Sequence, residues 1–290
     1  MTRAGGWLTA VGLFVVSFCV LYANVLVKLT SDWAHDDNYS HGFFVVPLAL
    51  YFAWKRRERL AAAAVRPGSL GLVLILGSIS MLLAGLLGAE LFLSRVSMIG
   101  VIAGTVLFVF GWQHLRLLAF PLAFLLLMIP IPAIIFNQIA FPLQLLASRF
   151  GETVLYAFGI PVLREGNVIV LANTSLEVAQ ACSGIRSLVS LLTLGIVYGY
   201  FIDRRASFRI VLAAATVPVA ILTNGIRVAT TGIAAHFYGA QAAEGILHES
   251  AGIIVFAVAF ALLFVLAGVL RVLWPDRSRD RSPLPALATP

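Results

Sequence analysis

Three residues that can perform covalent chemistry together lie near the ends of three separate apolar stretches: Cys182, Arg227 and His248. A cysteine thiolate attacks carbonyl carbons, an imidazole moves protons, and a fixed guanidinium stabilises an oxyanion or a thiolate. Cys182 is at the start of a predicted helix, where the helix dipole favours the thiolate. The trio is therefore typical of nucleophilic acyl transfer, with Cys182 as the nucleophile.

Two further polar residues accompany the trio. Arg186 follows Cys182 by four residues and should share its helix face at roughly 5 to 6 Å between Cβ atoms, so either arginine could supply the positive charge. Asn224, one turn before Arg227, is either a participant or a local hydrogen-bond partner. Ser183 is an alternative nucleophile, but it has no evident basic partner of its own.

Structural roles also explain these residues. Arg227 can extend outward along the lipid or pair with Glu244 or Glu249. His248 can be an interfacial residue whose ring nitrogens have ordinary hydrogen-bond partners. His41, close to the start of another apolar stretch, is either a substrate contact or simply a helix start. The residues alone leave these alternatives open.

The remaining cysteine, Cys19, lies in the middle of the first apolar stretch and is best explained as a small apolar filler. The predicted depths of Cys19 and Cys182 differ, which argues against a disulfide. No spacing of His, Cys or carboxylate residues matches a metal site, and no glycine-rich phosphate loop is present. We therefore predict neither a metal nor a cofactor.

Composition defines the elements that must position the site. Hydrophobic residues make up 61% of the 290-residue chain and charged residues 11%, a profile that excludes a soluble domain. A membrane-spanning helix needs roughly 20 apolar residues, and lipid offers no partner for unpaired backbone groups. We predict an all-α polytopic membrane protein with about eight transmembrane helices, at residues 7–27, 41–54, 69–89, 92–112, 117–136, 183–202, 210–233 and 249–270.

Counting along the last three spans predicts that the site residues share one layer. At about 1.5 Å per residue, Cys182 lies about 30 Å above the inner boundary, Arg227 about 26 Å and His248 about 33 Å. Three helices that are distant in sequence thus bring a thiol, a guanidinium and an imidazole close to the outer surface. Counting cannot show that they are lateral neighbours.

The distribution of charge predicts the orientation. With a cytoplasmic N-terminus, 14 of the 20 basic residues fall in cytoplasmic segments, whereas only four of the 13 acidic residues do. Both termini are therefore predicted to be cytoplasmic. The net charge of +7 reflects topology and anionic headgroups, and no basic patch with interleaved aromatics indicates nucleic acid binding.

Two predicted outer segments interrupt the spans. Residues 28–40 form one, and residues 137–182 form a short extracytoplasmic or interfacial cap with an amphipathic stretch and a hairpin around residues 165–167. Pro130 and Pro132 should bend or end the fifth span. The domain organisation is thus one transmembrane domain over residues 1–270 and a flexible cytoplasmic tail over residues 271–290.

Several motifs together resemble the exosortases, with the archaeosortases as more distant relatives. They follow the family's order between about residues 33 and 256, and the Glu177–Leu188 segment (EVAQACSGIRSL) is the most specific of them. The others are Asn38–Gly42 (NYSHG), Met128–Pro132 (MIPIP), Gly159–Val162 (GIPV), Arg164–Asn167 (REGN), Thr223–Arg227 (TNGIR), and His248 with Gly252.

The resemblance implies a membrane-embedded cysteine protease or transpeptidase in the bacterial inner membrane, with its active site on the extracytoplasmic side. Its substrates would be exported proteins with a C-terminal sorting tail, typically a Pro-Glu-Pro motif, one apolar helix and a basic cluster. The enzyme would cleave near the motif and transfer the new carboxyl end to an unknown surface acceptor. By position, Cys182 is the nucleophile, Arg227 the site arginine and His248 the third member.

Two other classes of function remain open from the residues. A transporter of cell-envelope precursors would explain many spans and intramembrane arginines, although repeats or midplane polar residues would be expected. A membrane acyltransferase that uses His248 would not need Cys182. Membrane lipid surrounds the chain in every case, and no nucleic acid partner is expected.

Overall fold

The computed structural model is mostly helical and describes residues 2–172, 174–178, 185–239 and 246–275; within these ranges the side chains of residues 2–5, 7–8, 185–186 and 246–251 are not described. The chain divides into two compact units, Met1–Phe136 and Asn137–Pro290. In the described part, four helices are long and apolar enough to cross a membrane, and two bent helix pairs raise that number to six. Two shorter apolar helices accompany them.

The first unit holds seven helices and the start of an eighth. They are α1 (Thr2–Leu21), α2 (Ala23–His35), α3 (Gly42–Trp54), α4 (Arg57–Ala62), α5 (Leu70–Leu87), α6 (Leu91–Val109), α7 (Trp112–Phe124) and α8 (Ala133–Ala157). A 3₁₀ turn at Leu125–Met128 extends α7. Helix α8 begins in this unit and continues into the second.

The first predicted span is not one straight helix. α1 ends before Tyr22, and α2 leaves at an angle of 69° to the last part of α1. Tyr22 is fully buried, and its hydroxyl lies 3.1 Å from that of Ser97. The helical structure therefore extends beyond the first predicted span, residues 7–27, because α2 continues to His35 and covers the first part of the predicted outer segment 28–40.

Small residues allow α5 and α6 to pack closely. A Cβ atom at Gly71 would lie 2.2 Å from the backbone nitrogen of Phe108, and one at Gly100 would lie 2.3 Å from the Ser78 hydroxyl. Packing of this kind is common between transmembrane helices, where small residues let two backbones approach each other.

The fifth predicted span, residues 117–136, also differs from the structure. The helix already begins at Trp112 and ends with the 3₁₀ turn at Met128, before Pro130 and Pro132. These prolines have no backbone donor and a fixed φ, so the chain is extended there and becomes helical again at Ala133. The prediction that the prolines end this helix is confirmed.

The second unit contains the rest of α8, a small sheet and three helices. The strands are β1 (Val162–Glu165), β2 (Val168–Leu171) and β3 (Ser175–Glu177), all antiparallel in the order β1-β2-β3. The predicted hairpin is thus confirmed, with Glu165 opposite Val168, and β3 adds a strand that was not predicted. The helices are α9 (Ile185–Ile202), α10 (Ala206–Tyr238) and α11 (Ile246–Leu273).

Arginines join the three helices of the second unit at one end. Arg271 on α11 donates to the carbonyl of Ile202 at 2.7 Å, and Arg205, before α10, donates to the carbonyl of Trp274 at 2.9 Å. Arg205 also donates to both carboxylate oxygens of Asp203. We call this group the arginine latch. It satisfies carbonyls at the ends of α9 and α11, where positive charge is favourable.

Asp203 allows the latch to be tested. Hydrogen bonds from Arg205 hold the pKa of the Asp203 carboxyl below its ordinary value. A group with a lowered pKa stabilises the fold above its ordinary pKa, and this stabilisation disappears as the pH falls through the folded-state value. Asp203→Asn should therefore lower the free energy of unfolding by about 1.5 to 3 kcal/mol at pH 7, with a smaller difference from wild type below about pH 4.

Thermal unfolding of the detergent-solubilised protein at several pH values measures this effect. Glu58→Gln is a suitable control, because Glu58 is 87% exposed and lies 3.5 Å from Arg57, and exposed pairs contribute at most about 1 kcal/mol. Equal melting temperatures for Asp203→Asn and wild type at pH 7 would mean that the latch does not stabilise the fold.

Candidate active site

Arg227 lies on α10 in a buried position beside α11. Arg227 is 9% exposed. A Cβ atom added at Gly252 would lie 3.7 Å from the Nη2 atom of Arg227 and 3.8 Å from its Cζ atom. The guanidinium is therefore packed against the backbone of α11 and does not extend outward along the lipid. Gly252 leaves room for it because it has no side chain.

Position 248 lies one helical turn before Gly252 and thus on the same face of α11. The side chain of His248 is outside the described residues, as are residue 244 and the side chain of Glu249. The contact between Arg227 and Gly252 nevertheless brings the α11 turn that follows position 248 next to the guanidinium. Counting residues from the sequence could not establish this lateral relation.

Because the arginine latch joins α9, α10 and α11 at one end, the distance of a residue from that end can be counted along each helix. Arg227 follows Arg205 by 22 residues and position 248 precedes Arg271 by 23, so they lie about 33 and 35 Å from the latch. The first residue of α9, Ile185, precedes Ile202 by 17 residues and lies at about 26 Å. Arg227, position 248 and the start of α9 are thus at the same end of this helix group.

Cys182 lies outside the described residues, but the chain that leads to it is anchored. Val178 donates its backbone N–H to the carbonyl of Asn167 at 2.9 Å and accepts from the Asn167 side-chain nitrogen at 3.3 Å. Val178 is 2% exposed and belongs to the same buried cluster as Val228, the residue after Arg227. The sheet therefore holds position 178 in the core that also contains the Arg227 region of α10.

Helix α8 packs against the part of α10 that carries Arg227. A Cβ atom at Gly225 would lie 2.8 Å from the Phe150 ring, and one at Gly151 would lie 2.8 Å from the Val228 side chain. Such close contacts leave the backbone around Arg227 little freedom to move. Asn224, one turn before Arg227, is also buried, at 3% exposed.

Of the supporting residues, Arg186 lies in the first turn of α9, and its side chain is outside the described residues. His41 belongs to the first unit, directly before α3, and its Nε2 atom lies 3.0 Å from the carbonyl of Leu127, to which it donates. Because that nitrogen already has a protein partner, the hydrogen bond favours the structural role of His41. A substrate contact stays a prediction.

Two neighbours of His41 hold the same segment and were not singled out from the sequence. Trp33 donates from its ring nitrogen to the carbonyl of Met128 at 2.9 Å, and the Tyr39 hydroxyl accepts from the backbone N–H of Ile131 at 3.3 Å. Tyr39 lies within the NYSHG motif, which was a usable signal. No sequence pattern pointed to Trp33, because an aromatic residue near the end of an apolar stretch has many possible roles.

The contact between Arg227 and Gly252 predicts a graded effect of side-chain size. Gly252→Ala should be tolerated within about twofold in activity, because its Cβ would make only an ordinary van der Waals contact with the guanidinium. Gly252→Leu should displace the guanidinium and reduce activity by roughly a hundredfold. Initial rates of substrate processing by equal amounts of membrane-inserted enzyme measure this, and equal rates for both variants would contradict the packing described.

Comparison with known proteins agrees with the motifs. The model of the family described as Transmembrane exosortase matches residues 33–265, which is most of the chain and includes every candidate site residue. No curated protein and no solved structure matches the chain.

Proposed function

Because the chain belongs to the transmembrane exosortase family, we propose that it is a cysteine transpeptidase that cleaves the C-terminal sorting tail of exported proteins. Members of this family are membrane-embedded sorting transpeptidases of the cysteine type and act on proteins with C-terminal sorting signals. The proposal for this chain adds the residues that act, the side of the membrane and the fate of the tail.

The chemistry requires three roles. His248 takes the proton of the Cys182 thiol, the thiolate attacks the scissile carbonyl carbon, and Arg227 stabilises the negative charge that develops on the carbonyl oxygen. The C–N bond then breaks, the leaving amine takes a proton from His248, and the upstream part of the substrate remains as a thioester. An acceptor nucleophile or water, deprotonated by His248, releases the product and restores the thiol.

The observation that carries this proposal is the buried guanidinium of Arg227 beside Gly252 on α11. A charge at membrane depth is costly and is usually functional. Chain connectivity supports the participation of Cys182, which follows Val178 by four residues and precedes Ile185 by three.

The proposed topology has eight crossings. They comprise the four long helices, the two bent pairs and the two shorter apolar helices, α3 and α9, which together correspond to the eight predicted spans. Both termini are cytoplasmic, and the end of α9–α11 that carries Arg227 faces outward, because the opposite end carries the arginines of the latch. The substrate tail would pack laterally against α9–α11 and present its motif just above the lipid.

Co-expression with a tail-bearing protein, followed by mass analysis of its C-terminus, tests the proposed function. We expect a product shortened at one peptide bond near the Pro-Glu-Pro motif, either free or joined to an acceptor. The same protein without its tail motif is the matched substrate control. A substrate that keeps its complete tail in the presence of folded, membrane-inserted enzyme would contradict the proposal.

Asn167 provides a test of how the sheet positions the nucleophile. Asn167→Ala removes the hydrogen bond from the Asn167 side chain to the carbonyl of Val178 and leaves the backbone bond between the same two residues. Because the segment before Cys182 is then held by one bond instead of two, kcat should fall roughly tenfold with a small change in KM. Asn167→Gln should not restore the rate, since its amide is displaced by one methylene. Steady-state kinetics distinguish this from general destabilisation, which would lower the amount of active enzyme and leave kcat per folded molecule unchanged.

A further inference from the structure

Five exposed cations surround one end of α3, α4 and α7 in the first unit: Lys55, Arg57, Arg59, Arg66 and Arg116. We call them the basic surface. Between residues 55 and 66 the only acidic residue is Glu58, so the segment has a large excess of positive charge. None of the five belongs to the candidate active site.

Hydrogen bonds to backbone carbonyls bring these separate segments together. Arg56 donates to the carbonyl of Leu117 on α7, next to Arg116, which places the end of α3 beside the first turns of α7. The backbone N–H of Arg66 donates to the carbonyl of Phe110 at 3.0 Å, directly before α7 begins. The segments that carry the cations of the basic surface are therefore close in space, although Arg116 is distant from the other four in sequence.

Tryptophans indicate the depth of this surface. Trp54, the last residue of α3, is 58% exposed, and Trp112, the first residue of α7, is 60% exposed. The Arg57 guanidinium lies 4.3 Å from the centre of the Trp54 ring. Exposed tryptophans at the ends of membrane helices lie at the level of the lipid headgroups, so the cations lie at the level of the phosphates.

The basic surface differs from the arginine latch in what its side chains contact. In the latch, the guanidinium of Arg205 binds Asp203 and the carbonyl of Trp274 directly after α11, and that of Arg271 binds a carbonyl of α9. On the basic surface, by contrast, Arg57 is 54% exposed and stacks on an exposed ring. Its polar partners, the carbonyl of Trp54 and the carboxylate of Glu58, both lie at 3.5 Å, and such long, exposed contacts are weak enough to be exchanged for an outside anion.

We propose that the basic surface binds the phosphate headgroups of anionic phospholipids, such as phosphatidylglycerol, as specific annular lipids. Charge complementarity and headgroup-level depth both favour this partner. Arginine and lysine donors bind phosphate oxygens through charge-assisted hydrogen bonds. Each cation near an anionic membrane surface contributes roughly a fivefold preference, so several together select anionic over zwitterionic lipid.

Native mass spectrometry of the full-length protein with added phosphatidylglycerol or phosphatidylethanolamine tests this inference. The variant Lys55→Gln/Arg57→Gln/Arg59→Gln should bind phosphatidylglycerol at least about tenfold more weakly than wild type. The control Lys28→Gln/Arg149→Gln/Arg204→Gln removes the same charge at exposed positions elsewhere and should bind like wild type.

Two outcomes would overturn the inference: equal phosphatidylglycerol binding by the triple variant and its control, or no preference of wild type for phosphatidylglycerol over phosphatidylethanolamine. If the triple variant fails to insert, Arg66→Gln/Arg116→Gln carries the test, because it leaves the end of α3 unchanged. The charge-conserving variant Arg57→Lys/Arg59→Lys should keep the preference, which separates lipid binding from loss of the fold.

Discussion

Replacing Cys182 with alanine should abolish tail processing, by roughly a thousandfold or more, while membrane insertion and protein level stay unchanged. In the proposed mechanism this thiol forms the covalent bond to the substrate, so its loss removes that step. Gel analysis or mass analysis of the substrate's C-terminus measures the loss. Protease protection of the loops shows whether insertion is intact.

Cys19 provides the matched control for this experiment. It is the other cysteine of the chain and is exposed on α1, which with α2 forms one of the bent candidate spans. Cys19→Ala should process the tail at the wild-type rate. Unchanged processing by Cys182→Ala would support the acyltransferase that uses His248, and would exclude a cysteine nucleophile.

Arg227→Lys should lower kcat/KM by roughly a hundredfold to a thousandfold, although it keeps the positive charge. The reason is geometric: a planar guanidinium packed against the α11 backbone presents its donors in a fixed fork, which a flexible ammonium cannot reproduce. Initial rates at several substrate concentrations measure the effect. The loss should appear mainly in kcat, because in the proposed mechanism Arg227 stabilises a charge that develops only in the transition state.

Arg149→Lys serves as the control for Arg227→Lys. Arg149 is exposed on α8 in the same unit, so the exchange should leave the rate unchanged. Full activity of Arg227→Lys would assign this arginine a structural role and leave Arg186 as the source of the positive charge.

The apolar helices were easier to predict from the sequence than the positions at which a helix is interrupted. Hydropathy located the four long apolar helices of the described residues, and Pro130 and Pro132 correctly marked the end of the α7 segment. The single helix α8 from Ala133 to Ala157 was not predicted, because it runs from the end of a predicted span into the predicted cap. The break at Tyr22 carries no such signal, since it contains neither glycine nor proline. Its bend is accompanied by the burial of the Tyr22 ring and its bond to Ser97, a tertiary contact 75 residues away that no local pattern encodes.

The candidate site was predicted in part. Counting residues along helices placed Arg227 and position 248 at similar heights, and the structure adds that Arg227 is packed against Gly252, one turn from position 248. The role of Asn167 in holding Val178 depends on strand register, which hydropathy does not specify. The roles of Cys182, Arg186 and His248 stay predictions.

The most direct measurement of the central claim is the mass of the intact enzyme after acid quenching in the presence of a tail-bearing substrate. We predict an adduct with the mass of the truncated substrate, attached to Cys182 as a hydroxylamine-sensitive thioester and absent from Cys182→Ala. An adduct on Ser183 or any other residue, or continued cleavage by Cys182→Ala, would contradict the assignment of Cys182 as the nucleophile.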